Sequence, residues 1–207
     1  MSEILPGRPC HPSRDRSILV LGIGNVLWAD EGFGVRLVEA LQEGWDFAPQ
    51  VQLVDGGTQG LYLLPLVQQA THLLILDAVD YGLAPGTLKL VENDEVPRFL
   101  GAKKMSLHQT GFQEVLMLAE LTGRYPEEVL LIGCQPEQLE DYGGSLRPCV
   151  KAALDAAVPI ALERLARGRR QRPGPFDVAW AEHALIGCAQ HQGGRGQQEK
   201  PWPDDAN

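Results

Sequence analysis

The chain of 207 residues is long enough for one domain with a substantial core, and its apolar content is ordinary for a globular protein. Its formal net charge of −9 argues against a general nucleic-acid binder, which needs a basic surface for phosphate contacts. No apolar run reaches membrane-spanning length, and residues 1–16 lack the apolar core of a secretory signal, so we expect a cytoplasmic protein outside the membrane.

Cysteine usage agrees with that compartment. The four cysteines are scattered along the chain and form no CxxC pair: Cys10, Cys134, Cys149 and Cys188. This pattern favours free thiols in a reducing compartment over a disulfide framework or a zinc ribbon.

The first secondary-structure elements are a buried strand and an amphipathic helix. The continuous apolar run at 18–21 is typical of a central parallel strand, and the Gly-Ile-Gly-Asn turn at 22–25 ends it. After Asp30, apolar residues at helical spacing predict a helix whose inward face carries Val35, Val38 and Leu41.

The remaining elements alternate between strands and helices. Apolar runs predict strands at 51–54, 72–76, 87–91 and 129–132, and apolar periodicity predicts helices at 60–69, 110–121 and 146–167. In the helix at 60–69 the predicted inward residues are Leu61, Leu64 and Val67. Two prolines inside helices predict distortion, Pro65 by shortening or bending and Pro159 by a kink or a break.

This alternation predicts an α/β fold: a single three-layer domain with a mostly parallel, twisted sheet of about five strands and helices on both faces. We expect the domain at 17–168, after a flexible N-terminal extension at 1–16. Residues 169–207 are rich in arginine, glutamine, glycine and proline, which predicts a disordered tail with at most a short helix at 179–188.

Three potential metal ligands follow predicted strands or precede a helix. Ligands of open parallel sheets bind beyond the carboxyl ends of the strands, where Glu31, Asp77 and His108 are expected. Two carboxylates and one imidazole suit nickel or zinc. Each residue also has an ordinary alternative: Glu31, like Asp30, as a helix cap, Asp77 as an acceptor for backbone amides, and His108 as a surface residue.

A second polar segment, Asp55-Gly56-Gly57-Thr58, is expected as an exposed loop at the same edge. Adjacent glycines let a backbone approach a ligand closely, but a simple strand-to-helix turn with a capping threonine explains them equally well. A dinucleotide fingerprint beginning at Gly22 is weak, because the bulky Leu27 stands where glycine or alanine is needed.

Four motifs, in this order, carry a family resemblance: GIGNVLWADEGFGVR at 22–36, VDGGTQG at 54–60, LLILDAVD at 73–80 and SLHQTG at 106–111. Together they resemble the nickel–iron hydrogenase maturation endopeptidases, and within that family the enzymes serving uptake hydrogenases. The resemblance implies a hydrolase that removes the C-terminal extension of a nickel-loaded hydrogenase large-subunit precursor.

The resemblance also implies roles for particular residues. Glu31, Asp77 and His108 match the family's metal-binding positions, with nickel delivered by the precursor or, alternatively, a zinc ion held by the enzyme. Asp55 is expected to act in catalysis or, with the segment at 56–58, in handling the substrate, whether the enzyme is of aspartyl or metal-dependent type. We expect a monomer whose partner is the precursor. The alternatives are a non-catalytic metal-sensing chaperone and a nucleotide-binding oxidoreductase.

Overall fold

The computed structural model describes residues 15–97 and 107–167, with side chains at 15–97 and 111–166. The strands are Ile18–Ile23 (β1), Val51–Gly57 (β2), His72–Ala78 (β3), Leu88–Glu92 (β4) and Glu128–Cys134 (β5). The helices with described bounds are Phe33–Gly44 (α1), Leu64–Gln69 (α2), Leu107–Leu121 (α3) and Pro148–Arg167 (α4), and short 3₁₀ turns lie at Ala29–Gly32, Gly60–Leu63 and Asn93–Glu95.

The strands form one five-stranded sheet in the order β2-β1-β3-β5-β4. The four strands β2, β1, β3 and β5 are parallel, and β4 runs antiparallel to β5 at one edge. The predicted α/β fold with a mostly parallel sheet is therefore confirmed. Within the described ranges, no helix is long and apolar enough to cross a membrane.

Strand alternation divides the core into two layers of side chains. Leu19 and Ile75 belong to a buried cluster that includes Val67 of α2 and Phe112 of α3. Helix α1 packs on the opposite face. There Gly22 of β1 lies so close to α1 that an added Cβ would meet the carbonyl oxygen of Gly34. Successive residues of a strand point to opposite faces, so one apolar run supplies both layers. Helices thus cover both faces of the sheet, as predicted.

Helix α1 carries the predicted inward face. Val35, Val38 and Leu41 are all buried, but the helix begins only at Phe33, after the 3₁₀ turn. The N-cap residue of α1 is Gly32, which makes no side-chain cap hydrogen bond. Asp30 and Glu31 lie in the preceding 3₁₀ turn, and the cap interpretation of Glu31 stays a prediction.

The segment after β2 differs from its prediction. Residues Gly60–Leu63 form a 3₁₀ turn, and the α-helix begins at Leu64 with Pro65 in its first turn, where proline fits without losing a hydrogen bond. Leu61 was predicted to point inward, but it is exposed and Leu63 is buried instead. The tighter 3₁₀ turn shifts which residue faces the core.

The bounds of two helices also differ from the sequence pattern. Helix α3 begins at Leu107, so His108 lies in its first turn rather than in a preceding loop. Helix α4 runs without a break through Pro159, which lies on the exposed side of the helix. Its buried residues Val150, Ala153 and Ala157 recur at helical spacing, and this burial stabilises the helix despite the proline.

By its contacts the chain divides into a unit at Met1–Ala161, which contains the whole sheet, and a unit at Leu162–Asn207, of which only the end of α4 is described. The extension at 1–16 lies outside the described residues except for Asp15 and Arg16, and the tail at 169–207 with its possible helix lies outside them entirely. The predicted domain bounds therefore stay predictions.

Helix α1 approaches the sheet so closely that only glycine fits at the contact. A Cβ on Gly34 would lie 2.1 Å from the carbonyl oxygen of Leu76 and 2.3 Å from that of Ile23. These are backbone atoms of β3 and β1, which cannot rotate away as a side chain can. Gly34 therefore sets the distance between α1 and the carboxyl ends of two neighbouring strands.

We expect Gly34→Ala to lower the free energy of unfolding by about 3 kcal/mol or more, because the added methyl group forces the helix off the sheet. The matched control is Gly44→Ala at the end of the same helix, where an added Cβ would meet no atom within 4 Å. Urea unfolding followed by circular dichroism measures both variants. Equal stability of the two would contradict the close contact.

Candidate active site

The candidate site lies at the carboxyl edge of the parallel strands. Strand β1 lies between β2 and β3 in the sheet. The strand that follows β1 in the chain, β2, lies on one side of it, whereas the strands that follow β3, β4 and β5, lie on the other side. This reversal of strand order opens a crevice above β1 and β3, the usual ligand position in open α/β sheets. The segments that carry Glu31 and Asp77 both reach this crevice.

The position of Glu31 is fixed by two glycines. Gly24 has φ of 140°, and a Cβ there would lie 1.9 Å from the carbonyl oxygen of Glu31. That carbonyl accepts a hydrogen bond from the N–H of Asn25 at 3.2 Å. Three residues after Glu31, Gly34 lies against Leu76, the residue before Asp77. The turn with Glu31 is thus held against the end of β3.

Asp77 lies inside β3 rather than after it, and only 1% of it is exposed. Its register partner on β5 is Gly133. Asp77 projects from the same face as Ile75, two residues earlier, which belongs to the core cluster with α2 and α3. A buried carboxylate at a strand end, on the face covered by α3, is well placed for a site that also includes the start of that helix.

The backbone of α3 brings His108 toward the same edge. A Cβ on Gly111 would lie 3.4 Å from the Cα of Gly60, so the first turn of α3 packs beside the loop that follows β2. The side chain of His108 lies outside the described residues. Among the described side chains, no three His, Cys, Asp or Glu residues are grouped to hold a metal ion.

Asp55 lies near the end of β2, with Gly56 and Gly57 also inside the strand, so the predicted loop begins only at Thr58. Asp55 is exposed, and its Oδ1 accepts a hydrogen bond from the N–H of Gly57 at 2.9 Å. It shares a register row with Gly22 and Leu76, so the pleat directs Asp55 and Asp77 to opposite faces of the sheet. The structure does not place these two carboxylates side by side.

Sequence reasoning missed the role of Asp30, which is fully buried. Its Oδ2 accepts hydrogen bonds from the N–H groups of Glu137 and Gln138, and its Oδ1 accepts one from the N–H of Arg147, each at 2.8 Å. These donors lie more than a hundred residues further along the chain, in the loop between β5 and α4. Asp30 therefore fastens that loop to the turn that carries Glu31. In the sequence, Asp30 is only a charged residue just before an apolar helix face. A helix cap explains such a residue equally well, so the sequence did not indicate its buried role.

The backbone at this turn is strained. Ala29, immediately before Asp30, has φ of 22°, an unusual value for a residue with a Cβ. Its N–H donates to the carbonyl oxygen of Asp141 at 3.1 Å, in the same loop that Asp30 holds. Trp28 packs edge-on against Tyr142 with ring centroids 5.3 Å apart. These contacts hold the turn in its strained conformation.

A second buried polar residue, Gln135, holds the loop after β3. Its Oε1 accepts hydrogen bonds from the N–H groups of Tyr81 at 2.7 Å and Leu83 at 3.1 Å, and its Nε2 donates to Asp80 Oδ1 at 3.0 Å. Burial, together with the negative charge of Asp77, raises the pKa of the Tyr81 phenol well above its ordinary value. Tyr81 therefore stays protonated beside the candidate site at neutral pH.

The described cysteines, Cys134 and Cys149, are free thiols, as predicted. Burial raises the pKa of the Cys134 thiol to about 12. The Cys149 thiol donates to Glu137 Oε2 at 3.0 Å, and this hydrogen bond raises its pKa also. A nucleophilic cysteine needs a lowered pKa, so neither environment suits thiol catalysis. Cys10 and Cys188 lie outside the described residues.

Comparison with known proteins identifies the family. The sequence model described as hydrogenase maturation protease matches residues 35–164. The hydrogenase expression/formation protein HoxM of Cupriavidus necator is 64% identical over 82% of this chain and 84% of its own. The chain belongs to the hydrogenase maturation protease family.

Further similar proteins support the same family assignment. The hydrogenase 2 maturation protease of Escherichia coli is 42% identical over 72% of this chain and 90% of its own. The structure of the hydrogenase maturating endopeptidase HybD from E. coli superposes with a TM-score of 0.70 at 40% identity, covering 74% of this chain and 94% of that one. Family membership makes the chain an endopeptidase of hydrogenase maturation, as the four sequence motifs implied, and disfavours the chaperone and oxidoreductase alternatives.

We expect Asp30→Asn to lower the free energy of unfolding by about 3 kcal/mol, because an amide nitrogen facing N–H donors leaves at least one buried donor without an acceptor. Hydrogen exchange at the amides of Glu137, Gln138 and Arg147 should become faster. The control is Asp46→Asn, which changes an exposed carboxylate. Unchanged protection of these three amides would show that Asp30 does not hold the loop.

Replacing Cys134 and Cys149 together with alanine should leave peptide-bond cleavage intact, because both thiols are protonated at neutral pH. A modest loss of stability is expected at Cys134, which is fully buried. Gel electrophoresis of the precursor before and after incubation measures cleavage, and thermal unfolding measures stability. A folded double variant without activity would instead indicate a thiol mechanism.

Proposed function

We propose that this endopeptidase removes the C-terminal extension of the nickel-loaded large-subunit precursor of a nickel–iron hydrogenase, in the cytoplasm and as a monomer. Family membership supports the reaction class. The observation that supports the proposal further concerns three segments. The turn with Glu31 lies against the end of β3, which carries Asp77, and the first turn of α3, with His108, packs beside the loop that follows the neighbouring carboxyl end of β2. The predicted assignment to uptake hydrogenases belongs to the same proposal.

In this proposal nickel is part of the substrate. Two carboxylates and one imidazole would complete the coordination of a nickel ion that the precursor carries near its scissile bond. Glu31 and Asp77 would supply oxygen ligands and His108 a nitrogen ligand. The binding free energy of this coordination is then available only from a precursor that already carries its metal. Coordination would therefore select nickel-loaded precursor and place its scissile bond.

The positions of the two carboxylates support this role. Glu31 directly follows Asp30, which binds the loop at 135–147, and both lie in the 3₁₀ turn before α1. Asp77 projects toward the face covered by α3. Asp55, on the other face of β2, would place the substrate segment or a water, together with the backbone at 56–58.

A resident zinc ion is the alternative within the same donor set. Such an ion, when bound, would polarise the scissile carbonyl. Glu31, Asp77 and His108 would then act as its permanent ligands rather than as acceptors of the precursor's metal. The two versions differ in which partner brings the ion, and this difference can be measured.

Glu31→Gln, Asp77→Asn and His108→Ala should each slow cleavage of nickel-loaded precursor by about 100-fold or more, because each removes one ligand. Mass spectrometry of the precursor measures the rate. The matched controls, which should retain wild-type rates, are the exposed Glu43→Gln, the exposed Asp46→Asn and His72→Ala, which lies at the amino end of β3. Normal cleavage by all three site variants would overturn the proposed site.

The source of the metal follows from two further reactions. Chelator-treated wild-type enzyme should still cleave nickel-loaded precursor, while nickel-free precursor should be a poor substrate. A requirement for added zinc would instead support the resident-metal version.

Asp55→Asn should raise KM more than it lowers kcat if Asp55 places the substrate.

A further inference from the structure

Strand β2 lies at one edge of the sheet, and among the described residues no strand pairs with its outer side. Successive residues of a strand turn their backbone N–H and C=O groups alternately to the two sides of the strand. The N–H of Ile18 in β1 donates to the carbonyl oxygen of Gln50 at 2.8 Å, so Gln50, Gln52 and Val54 turn toward β1. Leu53 and Asp55 therefore turn their backbone groups outward.

The amino half of this outer edge is closed by the chain itself. The N–H of Val51 donates to the carbonyl oxygen of Ala48 at 2.9 Å, and the Nε2 of Gln42 in α1 donates to the carbonyl oxygen of Leu53 at 3.2 Å. Covering an edge in this way prevents another strand from pairing there. Three outward groups are left for which the described part of the chain supplies no partner: the N–H of Leu53 and the N–H and C=O of Asp55.

These three open groups lie at the carboxyl end of β2, next to the candidate site. The register between β1 and β2 shifts just beyond Asp55, and the carbonyl oxygen of Gly57 accepts a hydrogen bond from the N–H of Gly24 at 3.1 Å. Gly24 also lies against the carbonyl group of Glu31. The open part of the edge is thus continuous with the backbone that holds the turn with Glu31.

Exposed apolar side chains follow the same strand end. Leu61 is 50% exposed and Tyr62 is 87% exposed, in the 3₁₀ turn that comes after β2. The N–H of Gln59 donates to the carbonyl oxygen of Gly56 at 3.0 Å, which holds this turn beside the end of the strand. Large apolar side chains exposed beside open backbone groups offer contacts to the side chains of an added strand.

We infer that the open edge of β2 binds a segment of the precursor in extended conformation. The segment adds to the sheet as a further strand through the N–H of Leu53 and the N–H and C=O of Asp55, and its apolar side chains contact Leu61 and Tyr62. A polypeptide is the ligand whose own N–H and C=O groups match a strand edge, and an endopeptidase acts on such a ligand. The inference rests on the proposed function for the identity of the polypeptide, but the pairing itself requires no metal.

Leu53→Pro removes one outward N–H, and an edge strand tolerates proline where the N–H faces away from the ladder. The matched control is Leu90→Pro on β4, the strand at the opposite edge. There the N–H of Gln135 donates to the carbonyl oxygen of Thr87 at 2.9 Å, so antiparallel alternation turns the N–H of Leu90 outward also. With nickel-loaded precursor we expect Leu53→Pro to raise KM about 5- to 10-fold at unchanged kcat, and Leu90→Pro to change neither. Equal KM values in two folded variants overturn the inference.

Hydrogen exchange tests the same pairing in the wild-type enzyme, so the outcome does not depend on how well Leu53→Pro folds. In the free enzyme the amides of Leu53 and Asp55 should exchange faster than that of Val54, which pairs with β1. Nickel-loaded and nickel-free precursor are each added in excess and sampled in a pulse shorter than one turnover. Either form should slow exchange at Leu53 and Asp55 by about 10-fold or more and leave Leu90 unchanged.

Two results of the exchange measurement contradict the inference. Unchanged exchange at Leu53 and Asp55 with both forms of the precursor shows that the substrate does not pair with this edge. Protection of the same amides in the enzyme alone, increasing with enzyme concentration, shows that a second copy of this chain occupies the edge instead.

The variant Asp77→Asn separates this inference from the proposed metal site. If Asp77→Asn cleaves normally while Leu53→Pro raises KM, the metal site fails and the edge pairing stands. If Asp77→Asn abolishes cleavage while Leu53→Pro behaves like Leu90→Pro, the metal site stands and the edge pairing is rejected. Loss of cleavage in Asp77→Asn, a higher KM in Leu53→Pro and protection of the two amides together support both.

Discussion

The carboxyl edge of this sheet depends on one buried carboxylate. Asp30 is completely removed from solvent, and a charge in that position is tolerated only when hydrogen bonds replace its hydration. Its two oxygens accept three backbone N–H groups from a loop that follows β5. Asp30 therefore joins the turn after β1 to the loop before α4. Glu31, next in sequence, is held in place by a neighbour whose own carboxylate serves the fold.

Glycines are as important to the structure of this edge as the Asp30 carboxylate is. Gly34 lets α1 reach the carbonyl groups of β1 and β3, and Gly24 lets its own turn reach the carbonyl of Glu31. Gly133 gives its space to the phenol of Tyr81. At each position the backbone approaches a neighbour more closely than a Cβ allows. The glycines in the motif GIGNVLWADEGFGVR are thus requirements of packing around a site as well as of a tight turn.

The sequence predicted the fold well, and the errors have physical causes. Apolar runs located all five strands because buried parallel strands are apolar along their whole length. They placed the strand ends too early, since Asp55 and Asp77 are polar residues inside strands. Leu61 was assigned to the core because the pattern assumed α-helical spacing, whereas the chain forms a 3₁₀ turn there. Pro159 was expected to interrupt α4, but it faces outward on a helix that burial on its other side stabilises.

By itself the sequence determined the α/β class and the family, because these depend on local periodicity and on short contiguous motifs. Only the tertiary structure decided which face each residue occupies. Asp55 and Asp77 project from opposite faces, and this follows from strand register. Asp30, Gln135 and Tyr81 act through partners about fifty to more than a hundred residues away or across a strand. Such contacts leave no periodic signal in the chain, because they exist only once the strands have paired and the loops have met at one edge.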